Sequence, residues 1–405
     1  MAAPREVVVA AIDDGRRASS TSLLRKLPWV AAGLGALAAR DVQAQSTLDF
    51  RYLFYKEAGG RTQVLNPDIS LRQDFGESGG QLSLLLGYDT ISGASPTGAY
   101  PTSDTTSSAS GVSTTTGHIP LAGYHDTRKS GTLSYARKFG AHLPSIDLSY
   151  SRENDYLSKS MGFSDAWTMA HGRGTLHFGA SASRDVVTPV TSLLDLRKSS
   201  GSYAAGWSWI AGERDLFDIS MSLAKLTGYL DDPYKIVPVG TGTLPEHRPD
   251  SRSRRAVVGK YAHHFDVRGA LKTSYRFYWD DWGIRAHTLD LVYDQHVGNR
   301  WIVSPEVRLY TQSDASFYTA RLAAPRTFLS ADYRLSPFSS LLGGLTVSRE
   351  VRSGLWANVG ATMQSQRGRD RLTPLGSSPE VEDAGSTSSA DLATTTVTVG
   401  LSWRY

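Results

Sequence analysis

The chain has 405 residues, 43 Lys+Arg against 39 Asp+Glu, and no cysteine. The near balance of charge argues against a basic nucleic-acid domain, and the missing thiols exclude disulfides and thiolate metal sites while suiting export. A hydrophobic content of 40% is low for a helical membrane protein. It suits a barrel in which only alternate strand residues face lipid.

Arg16, Arg17, Arg25 and Lys26 precede a short apolar run, Trp29 to Ala39, and then Val42-Gln43-Ala44. This is the layout of a secretory signal peptide, and it predicts removal of residues 1–44. The apolar run is about half the roughly 20 residues a spanning helix needs.

From Thr47 onward the sequence alternates with period two. Leu48, Phe50, Tyr52 and Phe54 share one face; Leu82, Leu84, Leu86 and Tyr88 follow, then Ile146, Leu148 and Tyr150. Phe217, Ile219, Met221 and Leu223 repeat the pattern, as do Leu271, Thr273, Tyr275, Phe277 and Trp279. Trp301, Val303, Val307 and Leu309 continue it, and Val397, Val399, Leu401, Trp403 and Tyr405 end it on an aromatic. Such alternation marks strands with one apolar face. A soluble sandwich shows it too, but these segments approach the 9–11 residues of a tilted spanning strand.

The predicted strands are 47–57, 64–75, 80–92, 129–139, 144–154, 155–170, 174–186, 201–212, 216–229, 254–266, 269–280, 284–297, 300–312, 339–351, 355–366 and 394–405. Tight turns such as Gly140-Ala141-His142 and Gly298-Asn299 alternate with long polar loops at 93–127, 187–200, 231–252, 313–338 and 367–393. That rhythm, short turns in the periplasm and long loops outside, belongs to outer-membrane barrels. The expected fold is all-β: a transmembrane antiparallel up-and-down β-barrel over residues 45–405, of about 16 strands, with 14 or 18 open. The expected location is the bacterial outer membrane. Expected partners are outer-membrane lipid and lipopolysaccharide, and barrel-assembly machinery through the C-terminal strand; no nucleic acid is expected.

Two stretches are unusually rich in charge: the loop from Asp231 to Arg255, and the hairpin from Tyr275 to Thr288. Both fall at the outer mouth. They carry Glu246, Arg248, Asp250, Arg252, Arg254, Asp280, Asp281, Arg285 and His287 as a candidate substrate-binding cluster. Three readings stand for it. The charges pair with one another and fix a loop; they form a charge filter; or they build a catalytic or metal site with Asp280, Asp281 and His287 as hard ligands. Regular strand parity puts Asp280 and Asp281 on opposite faces and turns Arg285 and His287 toward lipid. His263-His264 cannot chelate one ion for the same reason. No catalytic residue, metal or cofactor is assigned, and no enzyme activity is expected.

The runs Lys235 to Gly240 (KIVPVG), Leu244 to Arg255 (LPEHRPDSRSRR) and Tyr275 to Thr288 (YRFYWDDWGIRAHT) resemble a bacterial outer-membrane family catalogued as domain of unknown function 3570. Arg300 to Tyr318 and Asp332 to Phe338 resemble its continuation, so the likeness covers nearly all of the mature chain. His247 stands where that family more often has Asn. The resemblance implies an outer-membrane barrel with no established activity. It also implies a genetic association with a small lipoprotein, a thioredoxin-like protein and a periplasmic flavin transferase. The expected function is a porin-like channel or a structural component of a cell-envelope transport or redox system. The alternatives are a barrel hydrolase of lipid or peptide, and a loop-based receptor or adhesin.

Overall fold

The computed structural model describes residues 46–76, 79–96, 102–103, 117–118, 121–169, 172–189, 195–320, 322–369 and 388–405. The predicted signal segment, 1–44, and the middles of the loops expected at 93–127, 187–200 and 367–393 lie outside the described residues.

The strands in chain order are β1 (Thr47–Glu57), β2 (Gln63–Asp74), β3 (Gly80–Pro96), β4 (Thr102–Ser103), β5 (Gly117–His118), β6 (Leu121–Arg137), β7 (Ser145–Arg152), β8 (Tyr156–Met169), β9 (Gly174–Val187), β10 (Leu196–Ile210), β11 (Asp215–Gly228), β12 (Ile236–Val239), β13 (Gly242–Pro245), β14 (Ser251–Phe265), β15 (Gly269–Asp280), β16 (Arg285–Val297), β17 (Trp301–Gln312), β18 (Phe338–Arg352), β19 (Leu355–Gly368) and β20 (Leu392–Arg404). The pairs β4–β5 and β12–β13 are separate hairpins. The other sixteen form one closed antiparallel barrel in sequence order. Closure runs from Thr47↔Arg404 to Glu57↔Thr394, joining β1 to β20. It leaves no unpaired edge, which the hydrocarbon core of a membrane does not tolerate.

The sixteen predicted strands are all present. The largest differences are at outer ends. The β3–β6 ladder runs past Tyr88↔Lys129 to Pro96↔Leu121, so the loop expected at 93–127 narrows to 97–120. Likewise β10 begins at Leu196, not at 201. In both places backbone pairing outlasts the apolar alternation, because beyond the membrane the outward residues no longer need to be apolar.

Parity sorts the side chains. Leu133, Leu148 and Met161 register across β6, β7 and β8 and stand 44%, 54% and 62% exposed on the outer wall. Leaving one such side chain in water rather than burying it costs about 1.5–3 kcal/mol, so a continuous belt of them calls for lipid. The inner wall from β6 to β11 is lined by small hydroxyls. Thr132 and Ser149 lie 2.9 Å apart, Ser181 and Ser202 2.6 Å, and Ser183 and Ser200 2.8 Å. The adjoining wall, β14 to β17, carries Lys260, Lys272, Asp290, Asp294 and Arg308. Sixteen strands about 4.8 Å apart and tilted by about 40° give a backbone diameter of about 30 Å.

The chain has no native thiol, so single cysteines can test this assignment cleanly. In proteoliposomes, a bulky water-soluble maleimide should label the Ser149→Cys variant and not Leu148→Cys. Labelling of the second alone would overturn the assignment of faces. Leu148→Arg should lower folding stability in vesicles by about 2–4 kcal/mol, with Ser149→Arg costing far less.

Candidate functional site

At the outer end, the loop between β11 and β14 (229–250) and the loop between β17 and β18 (313–337) are folded together. The first holds the β12–β13 hairpin, turned at Gly240 (φ +60°). Its backbone pairs with the second loop. Gly240 N–H donates to Leu322 O (2.8 Å), Leu322 N–H to Pro238 O (2.9 Å), and His247 and Leu329 exchange bonds of 2.9 and 2.8 Å. Val237, Leu322, Leu329 and Ala331 bury an apolar seam between them. A second cluster of Leu226, Leu230, Trp282, Ile284, Ala315, Phe317 and Leu335 anchors the second loop to the barrel top.

Buried beside the seam is a balanced ion network. Arg248 donates to Glu246 (3.1 Å) and Asp332 (2.8 Å). Arg334 donates to both oxygens of Asp332, through Nε to Oδ1 (2.7 Å) and Nη2 to Oδ2 (2.5 Å), and reaches Asp232 at 3.1 Å. Ser330 Oγ donates to Glu246 at 2.6 Å. Lys235 Nζ donates to Ser95 Oγ at 3.1 Å. Burial pushes the Glu246 carboxyl up to about 7; Arg248 opposes this, but Asp232 and Asp332 add to it. Burial also pushes Asp232 up. It would raise Asp332 as well, but Arg334 and Arg248 overcome it and hold that carboxyl below its ordinary range.

These loops cross the mouth. In barrel order, β11 and β14 stand eight places from β1 and β2. Yet Lys235 reaches Ser95 at the end of β3, and Tyr234 OH donates to Asp155, between β7 and β8, at 2.8 Å. From the other side, the Arg61 guanidinium lies 4.7 Å over the Tyr333 ring and donates to the Ser389 and Asp391 carbonyls. The result is a plug made of loops.

The cluster expected from sequence divides into three places. Glu246 and Arg248 sit inside the plug. Arg252 and Asp280 pair on the inner wall, with Arg252 Nε donating at 2.9 Å and Tyr278 OH adding a bond of 2.7 Å; Arg254 stands opposite Asp280 in the β14–β15 register. Asp281 is exposed and accepts from Ser253 N–H. Asp250 is exposed, and its carbonyl accepts from Gly228 N–H. Arg285 and His287 are exposed on the outer wall, as parity predicts; His287 Nδ1 lies 2.7 Å from Tyr275 OH. One shared site for all nine residues is therefore not formed, because β15 and β16 direct alternate side chains to opposite faces. Asp232, Asp332 and Arg334 were not among the candidates. The signal was present in Asp332-Tyr333-Arg334, a charged triplet in a long loop, but its partners are 84 and 102 residues away in sequence.

Among the described residues, no group of three or more His, Asp or Glu is placed to hold a metal ion. In the lumen, Ser208 Oγ donates to Asp218 (2.7 Å), and His177 lies 3.8 Å from the same carboxylate.

A family model described as "Protein of unknown function (DUF3570)" matches residues 19–200 and 193–390. No curated protein sequence matches the chain. Among solved structures, one described as a bacterial polysaccharide outer membrane secretin is similar with a TM-score of 0.51 and 8% identity, covering 90% of this chain and 100% of that one. CdiB from Acinetobacter baumannii (TM-score 0.49, 8% identity) is covered over 60% of its length by 89% of this chain. The outer membrane protein opdK from Pseudomonas aeruginosa (TM-score 0.41, 8% identity) is covered over 99% by 90% of this chain. At 8% identity the likeness to the secretin is one of fold alone.

The Glu246 carboxyl gives the plug a pH dependence. A carboxyl raised above its ordinary 4.5 adds stability that is complete below that value and is lost as pH rises through about 7. Asp332 acts oppositely: its contribution is present above its ordinary 3.8 and is lost as pH falls below it. Hydrogen-exchange protection of amides in 231–248, corrected for intrinsic rates, should fall as pH rises from 5 to 8. In Glu246→Gln that trend should flatten; an unchanged trend would mean that Glu246 is not its source.

Proposed function

The chain belongs to the DUF3570 family, and from that membership and the geometry above we propose that it is an outer-membrane, porin-like channel for small polar solutes, held shut at its outer mouth by the loop plug. One observation carries this reading. The ion pairs of the inner wall lie flat along it. Arg128 pairs with Asp89 across β3–β6, Lys198 with Asp185 across β9–β10, Lys272 with Asp294 across β15–β16, and Arg308 with Asp290 across β16–β17. Each of these four pairs joins neighbouring strands, and none of the four crosses the lumen. Lys272 is nearly half exposed toward the interior, as a wetted channel requires. The closure lies in loops that can move without unpairing the barrel.

A wall of small hydroxyls and ion pairs offers a solute hydrogen bonds and fixed charges along the lumen. The balanced charge of the plug makes it a self-consistent closed state. Removing Arg334 strands Asp332 and Asp232 in a buried site, at a cost of about 3–5 kcal/mol for a broken buried pair.

In planar bilayers the wild-type barrel should conduct weakly and rarely. Arg334→Ala, or replacement of 236–245 by a short Gly-Ser link, should raise single-channel conductance several-fold. The barrel itself should remain folded, as judged by heat-modifiable migration. A folded, plug-deleted barrel that stays silent would exclude the channel and leave a structural role.

A further inference from the structure

Lysine and arginine meet two different fates on this barrel. Inward-facing Arg128 pairs with Asp89, and inward-facing Lys198 pairs with Asp185. Their sequence neighbours Lys129 and Arg197 point outward and are exposed. Arg152, Lys159 and Arg184 share that outward parity and exposure. Among the described residues, none of these five outward cations forms an ion pair.

The register joins them into one band. Lys129 stands directly opposite Arg152 on β6–β7, and Lys159 directly opposite Arg184 on β8–β9. Arg152 faces Leu157, so Lys159 is its diagonal neighbour. Arg184 faces Ser199, so Arg197 is its diagonal neighbour. Five consecutive strands thus carry five cations, one step apart, over roughly 20 Å of rim. Like charges set directly opposite on a sheet repel and destabilise it. Two such pairs in one band are unfavourable unless an anion lies between them. The nearby carboxylates do not supply it. Glu153 and Asp155 are buried in the turn between β7 and β8. Asp195 is exposed but lies before the start of β10 and is engaged by Thr188.

The surroundings define the anion. Tyr88 registers beside Lys129, and Tyr150 beside Lys159. Leu133, Leu148 and Met161 continue the same face toward the membrane centre. Along β7 the order from rim to centre is Arg152, Tyr150, Leu148, and across β3–β6 and β7–β8 the tyrosines stand level with the cations, above the aliphatic side chains. That is the order of a phosphorylated headgroup, an interface and acyl chains.

We infer that the outward rim of β6 to β10 binds an outer-leaflet lipid bearing a multiply phosphorylated headgroup, its phosphates seated between Lys129 and Arg152 and between Lys159 and Arg184. This rests on the membrane reading above but not on conduction, so a silent barrel leaves it intact.

The test uses the full mature chain in non-ionic detergent, with diphosphoryl lipid A, its dephosphorylated form, or inorganic pyrophosphate as probe, and native mass spectrometry as readout. Wild type should hold diphosphoryl lipid A at least tenfold more tightly than the dephosphorylated form. The double variant Lys159→Gln/Arg184→Gln should lose about tenfold, and Arg285→Gln/Arg367→Gln, outward cations elsewhere on the rim, should not. Without lipid, Lys159→Gln should raise the unfolding temperature, because it relieves repulsion. Equal binding of both lipid forms, equal loss in the two double variants, or pyrophosphate binding as tight as the lipid would overturn the proposal. An unfolding temperature unchanged or lowered by Lys159→Gln would remove its electrostatic basis.

Discussion

An amide N–H or carbonyl left unpaired in hydrocarbon costs several kcal/mol, and a strand cannot pair with itself. Everything else in this molecule depends on how that constraint is met. Sixteen strands satisfy one another in a ring, and the seam between β1 and β20 is as regular as any other junction. With the ring closed, each strand residue faces either in or out. The period of two becomes a division between two solvents.

That division explains why neighbouring residues in this chain have such different chemistry. Lys198 is buried against Asp185, whereas Arg197 is exposed. Asp280 is buried under Arg252 and Tyr278, whereas Asp281 is exposed and caps a backbone amide. Inside, ion pairs such as Arg128–Asp89 and Arg308–Asp290 join neighbouring strands along the wall. Outside, apolar side chains dominate until the rim, where cations replace them.

The plug follows different rules from the wall. Its two loops have their own apolar seam, their own backbone pairing and a buried network of Asp232, Glu246, Asp332, Arg248 and Arg334. Buried ion pairs contribute little net stability compared with apolar packing, but losing one partner is costly. Such a network therefore favours one arrangement of the loops over its near alternatives. The arrangement of the two loops is specified by these polar partners together, and Glu246 links it to pH near neutrality.

The alternation of Leu48, Phe50, Tyr52 and Phe54, repeated to Val397 to Tyr405, by itself determined the barrel and the facing of its strand residues; it left fourteen, sixteen or eighteen strands open, and ring closure fixed sixteen. Facing follows from the alternation because side-chain direction in a strand depends only on parity, a property local to each segment. The same parity placed Arg285 and His287 outside. The outer ends of β3, β6 and β10 were not legible, since backbone pairing there continues without apolar alternation. Only the tertiary structure decided that 229–250 and 313–337 cross the mouth and lock to each other. Arg248 meets Asp332, and Arg334 meets Asp232, through the shape of two irregular loops. No period in the chain encodes that meeting, because loop partners are set by reach and burial in three dimensions rather than by spacing along the sequence.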